Sequence, residues 1–485
     1  MRSISIRRRV GVAAAFALVA GTALHGQAPD RTKLPTPGPT PTLKLPAIQK
    51  RQLSNGLPVW IVELHEVPVA QVNLVVTSGS ADDPAGKYGV ANMTASMLEN
   101  GAGTRSALEI ADAVDFLGAS LETTNGSDSS VIRLHVPVGR LGDALPIMAD
   151  VALKPTFPQE ELDRLKQERL TTLIQVRNDP ASVVGLAFSR TVFGNSHRFG
   201  TAIMGSAATI KAMTVADLRS FYTARYRPDN ATLLVVGDVT ADKILPLLQT
   251  SFGSWRASGP PPPHVVLPEP AAITAREVVI VDKPGAPQSQ IRIGGPGVAR
   301  STPDFFPIQV MNTVLGGAFT SRLNTNLREE HGYTYGASSA FDMRVATGPF
   351  YAAAGVQTDK TAESLTEFFK ELAAIRSPVP SDELARSKNY IALRFPERFE
   401  TTGDISSNLE NLVVYHLPDD YYSRYIQNIQ AVTAADVTRV AQKYIVPDRV
   451  KVVIVGDRQT IEPKVRALNL GTIRIMALDE IFGPN

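Results

Sequence analysis

Identical residues recur in this chain at a separation of 219: Thr214 and Thr433, Asp217 and Asp436, Pro228 and Pro447, Asp229 and Asp448, Gly237 and Gly456, Asp238 and Asp457. The separation never slips. Both stretches run in one order: a threonine placed to cap a helix (Val215 to Arg225, Ala434 to Tyr444), a Pro-Asp turn, an apolar strand (Ala231 to Val236, Val450 to Val455), then Gly-Asp. A repeat this long is a whole folding unit, so the chain is read as a duplication of one α+β domain. Strand signals around the Asn55-Gly56 turn stand beside long amphipathic helices such as Pro158 to Val176. The expected fold is α+β, two duplicated domains, each an antiparallel sheet with helices packed on one face.

Proline marks the boundaries. Residues 1–26 have a basic start, an apolar run from Val10 to Leu24 and then small and polar residues, the pattern of a secretory signal peptide. Residues 27–47 are a proline-rich leader, 48–257 the first domain, 258–273 a second proline-rich stretch serving as linker, and 274–485 the second domain. The apolar run is shorter than the roughly 20 residues of a membrane-spanning helix, so the mature form is expected to lack a span and to be periplasmic. With no cysteine, the chain has neither disulfides nor a thiolate metal site. Its formal charge is +2, but Arg2, Arg7, Arg8 and Arg9 lie in the leader; without them 45 basic residues face 47 acidic ones. Nothing in that balance points to nucleic acid.

Chemistry concentrates between Ser321 and Ser339, SRLNTNLREEHGYTYGASS. Leu323, Leu327 and Glu330 fall at helical spacing, Gly332 sits where a helix ends in a left-handed residue, and Tyr333, Tyr335 and Ala337 alternate as a strand does. A helix that turns directly into a strand would bring Arg328 near Tyr335. On local pattern alone, Arg328 serves equally well as a cation at a helix C-terminus and Tyr335 as packing; the functional alternative is a pair of donors for a carbonyl or carboxylate. The seven histidines, His25, His65, His135, His197, His264, His331 and His416, never fall two to a helix, which excludes a local two-histidine chelate.

Taken in order, SNGLPVWIVE, GSADDPAGKYGVANMTASMLENGAGTRS, the HRFGTAIMGS to GDV stretch, VLGGAFTSRLNTNLREEHGYTYGASS and VVYHLPDDYYSRYIQNIQAVTAADV resemble peptidase family M16, the insulinase and pitrilysin family, in its short-chain branch related to mitochondrial processing peptidase. The resemblance covers nearly everything from Arg51 onward. It implies a His-x-x-Glu-His zinc helix in the first half and a further glutamate ligand downstream. Here the motif positions that follow Gly89-Val90-Ala91 hold Asn92, Met93, Thr94, Ala95 and Ser96, and the third-ligand position, registered on Asn178-Asp179-Pro180, holds Thr171 or its neighbour Thr172. Neutral oxygens bind zinc weakly beside imidazole or carboxylate.

Arg328 and Tyr335 keep the spacing of an Arg and a Tyr that the family carries in its second half to reach a zinc site on the other half or subunit. The resemblance therefore implies a chain with no catalytic residue of its own and no cofactor of its own. It would contribute Arg328 and Tyr335 to a heterodimer whose partner, an M16 subunit with an intact His-x-x-Glu-His, supplies the zinc. Extended peptides adding along a sheet edge would be the substrates. A stand-alone peptide-binding scaffold is the alternative.

Overall fold

The computed structural model describes Gly38 and residues 46–483, so the expected signal peptide and most of the proline-rich leader lie outside the described residues. The first half contributes strands β1 (Gln49–Gln52), β2 (Pro58–Glu63), β3 (Val69–Val76), β4 (Ser120–Asn125), β5 (Ser130–Pro137) and β6 (Ala231–Gly237). The second contributes β7 (Glu277–Asp282), β8 (Gln288–Pro296), β9 (Thr334–Phe341), β10 (Pro349–Gln357), β11 (Lys451–Gly456) and β12 (Thr472–Met476). They form two six-stranded sheets ordered β1-β2-β6-β3-β5-β4 and β12-β7-β11-β8-β10-β9. The 219-residue separation holds at three further strand starts, 58 and 277, 69 and 288, and 130 and 349. Both threonine-capped helices exist as expected, each with a reciprocal capping box, Thr214 with Asp217 and Thr433 with Asp436.

The α+β duplication is as expected, with three refinements. The sheets are predominantly antiparallel but mixed: β2 runs parallel to β6, and β7 lies parallel to both β11 and β12. The repeat breaks at one edge, where β1 pairs antiparallel with β2 whereas β12 pairs parallel with β7. Each sheet is also covered on both faces rather than one. One face of the first sheet carries Val59, Ile61, Val72, Leu74, Ile132 and Leu134 into the core of its own half.

The other face is covered by a helix from the opposite half. Thr402–Val414 lies across β3 and β6 of the first sheet, and Pro180–Phe193 lies across β8 and β11 of the second. Val183, Val184, Ala187 and Phe188 of the latter pack on Val279, Val281, Val453 and Val455. This exchange explains why central strands such as β6, with every residue buried, read as unbroken apolar runs instead of alternating. From Ser258 to Arg276 the chain has no helix or strand. It is tied to the first half by Arg225 and Arg227, which donate to the carbonyls of Pro262, Pro263, Ser258 and Gly259.

Candidate functional site

The positions that the family resemblance assigns to the zinc motif, Asn92 to Ser96, lie on the Val90–Leu98 helix, beside edge strand β4. Its N-terminus is fixed from outside. Gly89, at φ +102, is pressed against the Met204 carbonyl, where a Cβ would come within 2.4 Å, and it offers no side chain to cap the helix. Asp83 does that work, accepting the amides of Gly89 at 2.7 Å and Ala91 at 2.8 Å, and it is itself held by Arg198 at 2.9 Å. The backbone that would present metal ligands is therefore intact.

What fills the ligand positions is a cation. Arg169, on the Gln159–Asn178 helix, donates from Nη2 to Ser96 Oγ at 2.8 Å and to the Asn92 carbonyl at 3.2 Å, while Ser96 Oγ donates to the Asn92 carbonyl at 3.2 Å. Burial lowers the guanidinium to about 10, and its Nη1 has no hydrogen-bond partner among the described residues. Ala95 is buried, and its carbonyl accepts from Thr123 Oγ1 at 2.7 Å. Thr171 is exposed and spends its hydroxyl on the Gln167 carbonyl; Thr172 does the same with Glu168.

Zinc needs deprotonated or lone-pair donors around a vacant centre, and here a buried positive charge sits against Ser96 Oγ and the Asn92 backbone carbonyl. The residues do not fit the metal. Among the described residues no three His, Cys, Asp or Glu side chains are grouped closely enough to hold a metal ion.

Arg169 escapes a motif search because it matches no ligand type. Its signal is an arginine within the buried stripe Leu162, Leu165, Arg169 and Leu173, a position where helical periodicity calls for an apolar side chain. Glu99 is half-buried: its carboxylate accepts the backbone amide of Thr123 on β4. Burial pushes that carboxyl up, and the Thr123 hydrogen bonds pull it partly back.

Arg328 and Tyr335 occupy the opposite half. The expected helix before Gly332 exists but is α-helical only over Arg322–Asn324, then widens to π-helical turns over Thr325–Glu330, with the amide of His331 reaching the carbonyl of Asn326. Gly332 takes φ +66, and the Gly332 and Tyr333 amides close the helix end on the Arg328 and Leu327 carbonyls. The chain then enters β9, an edge strand, as the alternation predicts.

Arg328 and Tyr335 share no hydrogen bond or stacking contact. The guanidinium lies 4.5 Å from the ring centroid of Phe319, with Glu329 Oε1 at 3.4 Å from Nε. Tyr335 is 89% exposed and Phe319 60%. The phenol is thus presented to solvent, and the half-exposed guanidinium is steadied on one side by the Phe319 ring.

The sheet edges beside these two sites are not bare. Glu99 takes the Thr123 amide of β4, Asn324 Oδ1 takes the Ala337 amide of β9 at 3.2 Å, and Asn312 Nδ2 donates to the Ser339 carbonyl at 3.0 Å. A strand added along either stretch would have to displace these side chains.

Comparison with known proteins follows the same division. Residues 59–205 match the family described as Insulinase (Peptidase family M16), and residues 212–391 match the Peptidase M16 inactive domain. An uncharacterized zinc protease of Mycobacterium leprae is 28% identical over 327 residues, spanning 67% of this chain and 72% of that one. Another of Bacillus subtilis is 24% identical over 347 residues, spanning 71% and 82%.

Among solved structures, a peptidase M16 inactive domain from Pseudomonas fluorescens superposes with a TM-score of 0.77 at 25% identity, covering 84% of this chain and 98% of that one. A protease from Helicobacter pylori gives 0.79 at 21% identity, covering 85% and 100%, and shares the fold. Two family matches laid end to end on a duplicated fold, with relatives and solved structures of the same kind, place this chain in peptidase family M16.

Proposed function

We propose that this protein is the non-catalytic subunit of a two-chain zinc metallopeptidase, exported to the periplasm, that contributes Arg328 and Tyr335 to a site whose metal and general base belong to an M16 partner with an intact His-x-x-Glu-His. The observation that carries the reading is the unequal state of the two halves' chemistry. In the first half Arg169 is bonded to Ser96 and the Asn92 carbonyl within the fold, whereas the second half presents an exposed phenol and a half-exposed guanidinium. Preorganised N–H and O–H donors of this kind suit the carbonyl oxygen of an extended peptide and the negative charge that develops on it as water attacks. Arg328, steadied on Phe319, would hold the peptide backbone, and the Tyr335 hydroxyl would donate to the oxyanion. The periplasmic assignment is supported by the leader sequence, and among the described residues no helix is long and apolar enough to cross a membrane.

Tyr335→Phe in the reconstituted two-chain complex tests this, because it removes only a hydroxyl from an exposed ring. Peptide hydrolysis should fall by roughly 10- to 1,000-fold, with assembly by gel filtration unchanged. Full activity in an intact complex would return Tyr335 to a structural role. Failure of any M16 chain to co-purify from the native host would favour the stand-alone scaffold.

A further inference from the structure

In each half a partly buried arginine stands where the exchanged helix crosses the sheet. In the first half, Arg133 on β5 and Asn73 on β3 are closed by Glu410 of the Thr402–Val414 helix. Arg133 donates to the two carboxylate oxygens at 2.7 and 3.1 Å, and Asn73 Nδ2 donates at 2.7 Å. In the second half, Arg292 of β8 stands 219 residues after Asn73, at the corresponding place in the sheet. The Pro180–Phe193 helix that crosses it brings no acid, only Gly185 and serines. The Arg292 side chain makes no hydrogen bond or ion pair with another described residue. Its guanidinium lies 4.6 Å from the Tyr351 ring centroid, and Nη1 is 3.3 Å from where a Cβ on Gly185 would be. A glycine inside a helix costs about 1 kcal/mol relative to alanine. Here it leaves the slot that a flat guanidinium occupies.

That slot opens into a cavity of about 530 Å³ between the halves, lined by Arg198, Arg292, Arg344, Ser127, Ser182 and Ser189 among others, and by no Asp or Glu. The other two arginines have acids of their own, since Asp83 pairs with Arg198 and Asp342 with Arg344. Arg292 alone of the three lacks one among the described residues. The volume lies within the range of small-ligand sites, and the planar fork of a guanidinium matches a carboxylate with two parallel hydrogen bonds. We propose that this cavity binds a short acidic peptide, a carboxylate of which takes at Arg292 the part that Glu410 takes at Arg133. The site is separate from Arg328 and Tyr335 and does not depend on the metallopeptidase reading.

The test is calorimetric titration of the purified full chain with the end-blocked tripeptide Ala-Glu-Glu and its neutral counterpart Ala-Gln-Gln. The acidic peptide should bind and the neutral one should bind about 10- to 100-fold more weakly, the range expected for losing a charge-assisted hydrogen-bond pair. Arg292→Met should lose the acidic peptide by a similar factor. Ser189→Glu, which supplies a carboxylate from the crossing helix itself, should also abolish binding while raising the melting temperature, so a folding failure of one variant leaves the other decisive. Tyr335→Phe should bind like the wild type, which separates this site from the proposed peptidase role. No binding of the acidic peptide at millimolar concentration, equal binding of both peptides, or undiminished binding by folded Arg292→Met would each overturn the proposal.

Discussion

Where the Thr402–Val414 helix crosses the first sheet, the half-buried Arg133 receives a carboxylate from the helix; where the Pro180–Phe193 helix crosses the second, the half-buried Arg292 receives none. The same contrast recurs at the two candidate sites. In the first half Arg169 is spent inside, on Ser96 and Asn92, whereas in the second Arg328 lies on Phe319 at the surface. Duplication supplied two copies of one scaffold, and divergence closed the polar groups of one copy while leaving those of the other available. The lesson is that a repeat conserves the backbone scaffold more faithfully than the side chains set on it, since Arg292 stands where the first half has Asn73, and Thr191 where the second half has Glu410.

Breaking the closed side should have the largest effect on stability. Glu410→Ala strands Arg133 and Asn73 without their acceptor, and since the pair is only 27% and 13% exposed, the loss should be about 3 kcal/mol, read as a lower urea midpoint at unchanged m. No comparable loss is expected from Arg292→Met, which has no internal partner to abandon.

A smaller effect sharpens the contrast at the helix that follows β3 or β8 in each half. In the first half its head is held by Asp83; in the second, Asp304 stands there, accepting from Tyr444 at 2.6 Å, Arg439 at 2.7 Å and Lys443 at 3.0 Å. Burial alone would raise the Asp304 carboxyl, but these three donors outweigh it and hold it at about 2, below its ordinary 3.8. A carboxyl depressed in the fold contributes stability that is present above about pH 4 and is lost as pH falls through 3.8 toward 2. Urea midpoints between pH 5 and pH 2 should therefore fall more steeply for the wild type than for Asp304→Asn; parallel curves would remove Asp304 from the acid response.

The smallest effect tests what the halves still share. Thr214→Ala and Thr433→Ala each remove one capping box of the same kind, so each should cost about 1 kcal/mol, with the two losses nearly equal by thermal melting. A threefold disparity would show that the repeated motif no longer does the same job in both halves.

Much of this was legible in the sequence. The invariant separation announced the duplication, because it depends on residue identity along the chain, whereas Asn92, Ala95, Ser96 and Thr171 were singled out only through the resemblance to family M16. Arg169 was not legible as the replacement, since its meeting with Ser96 joins two helices far apart in sequence and no ligand motif contains an arginine. The exchange of helices was hidden for a similar reason: an apolar stripe states that a helix is covered, not which half covers it. The only trace was the continuous apolar run of strands such as β6, which requires cover on both faces. The π-helical turns at Thr325–Glu330 have no counterpart in the spacing of Leu323 and Leu327, which fits an α-helix equally well.

Metal analysis of the purified full chain tests the central claim most directly, namely that the first half's motif helix is closed by a guanidinium rather than built to hold zinc. After dialysis in zinc-containing buffer and desalting, the account predicts well under one zinc per chain, with a melting temperature unaffected by chelator. One tightly bound zinc per chain, lost together with several degrees of melting temperature on chelation, would contradict it.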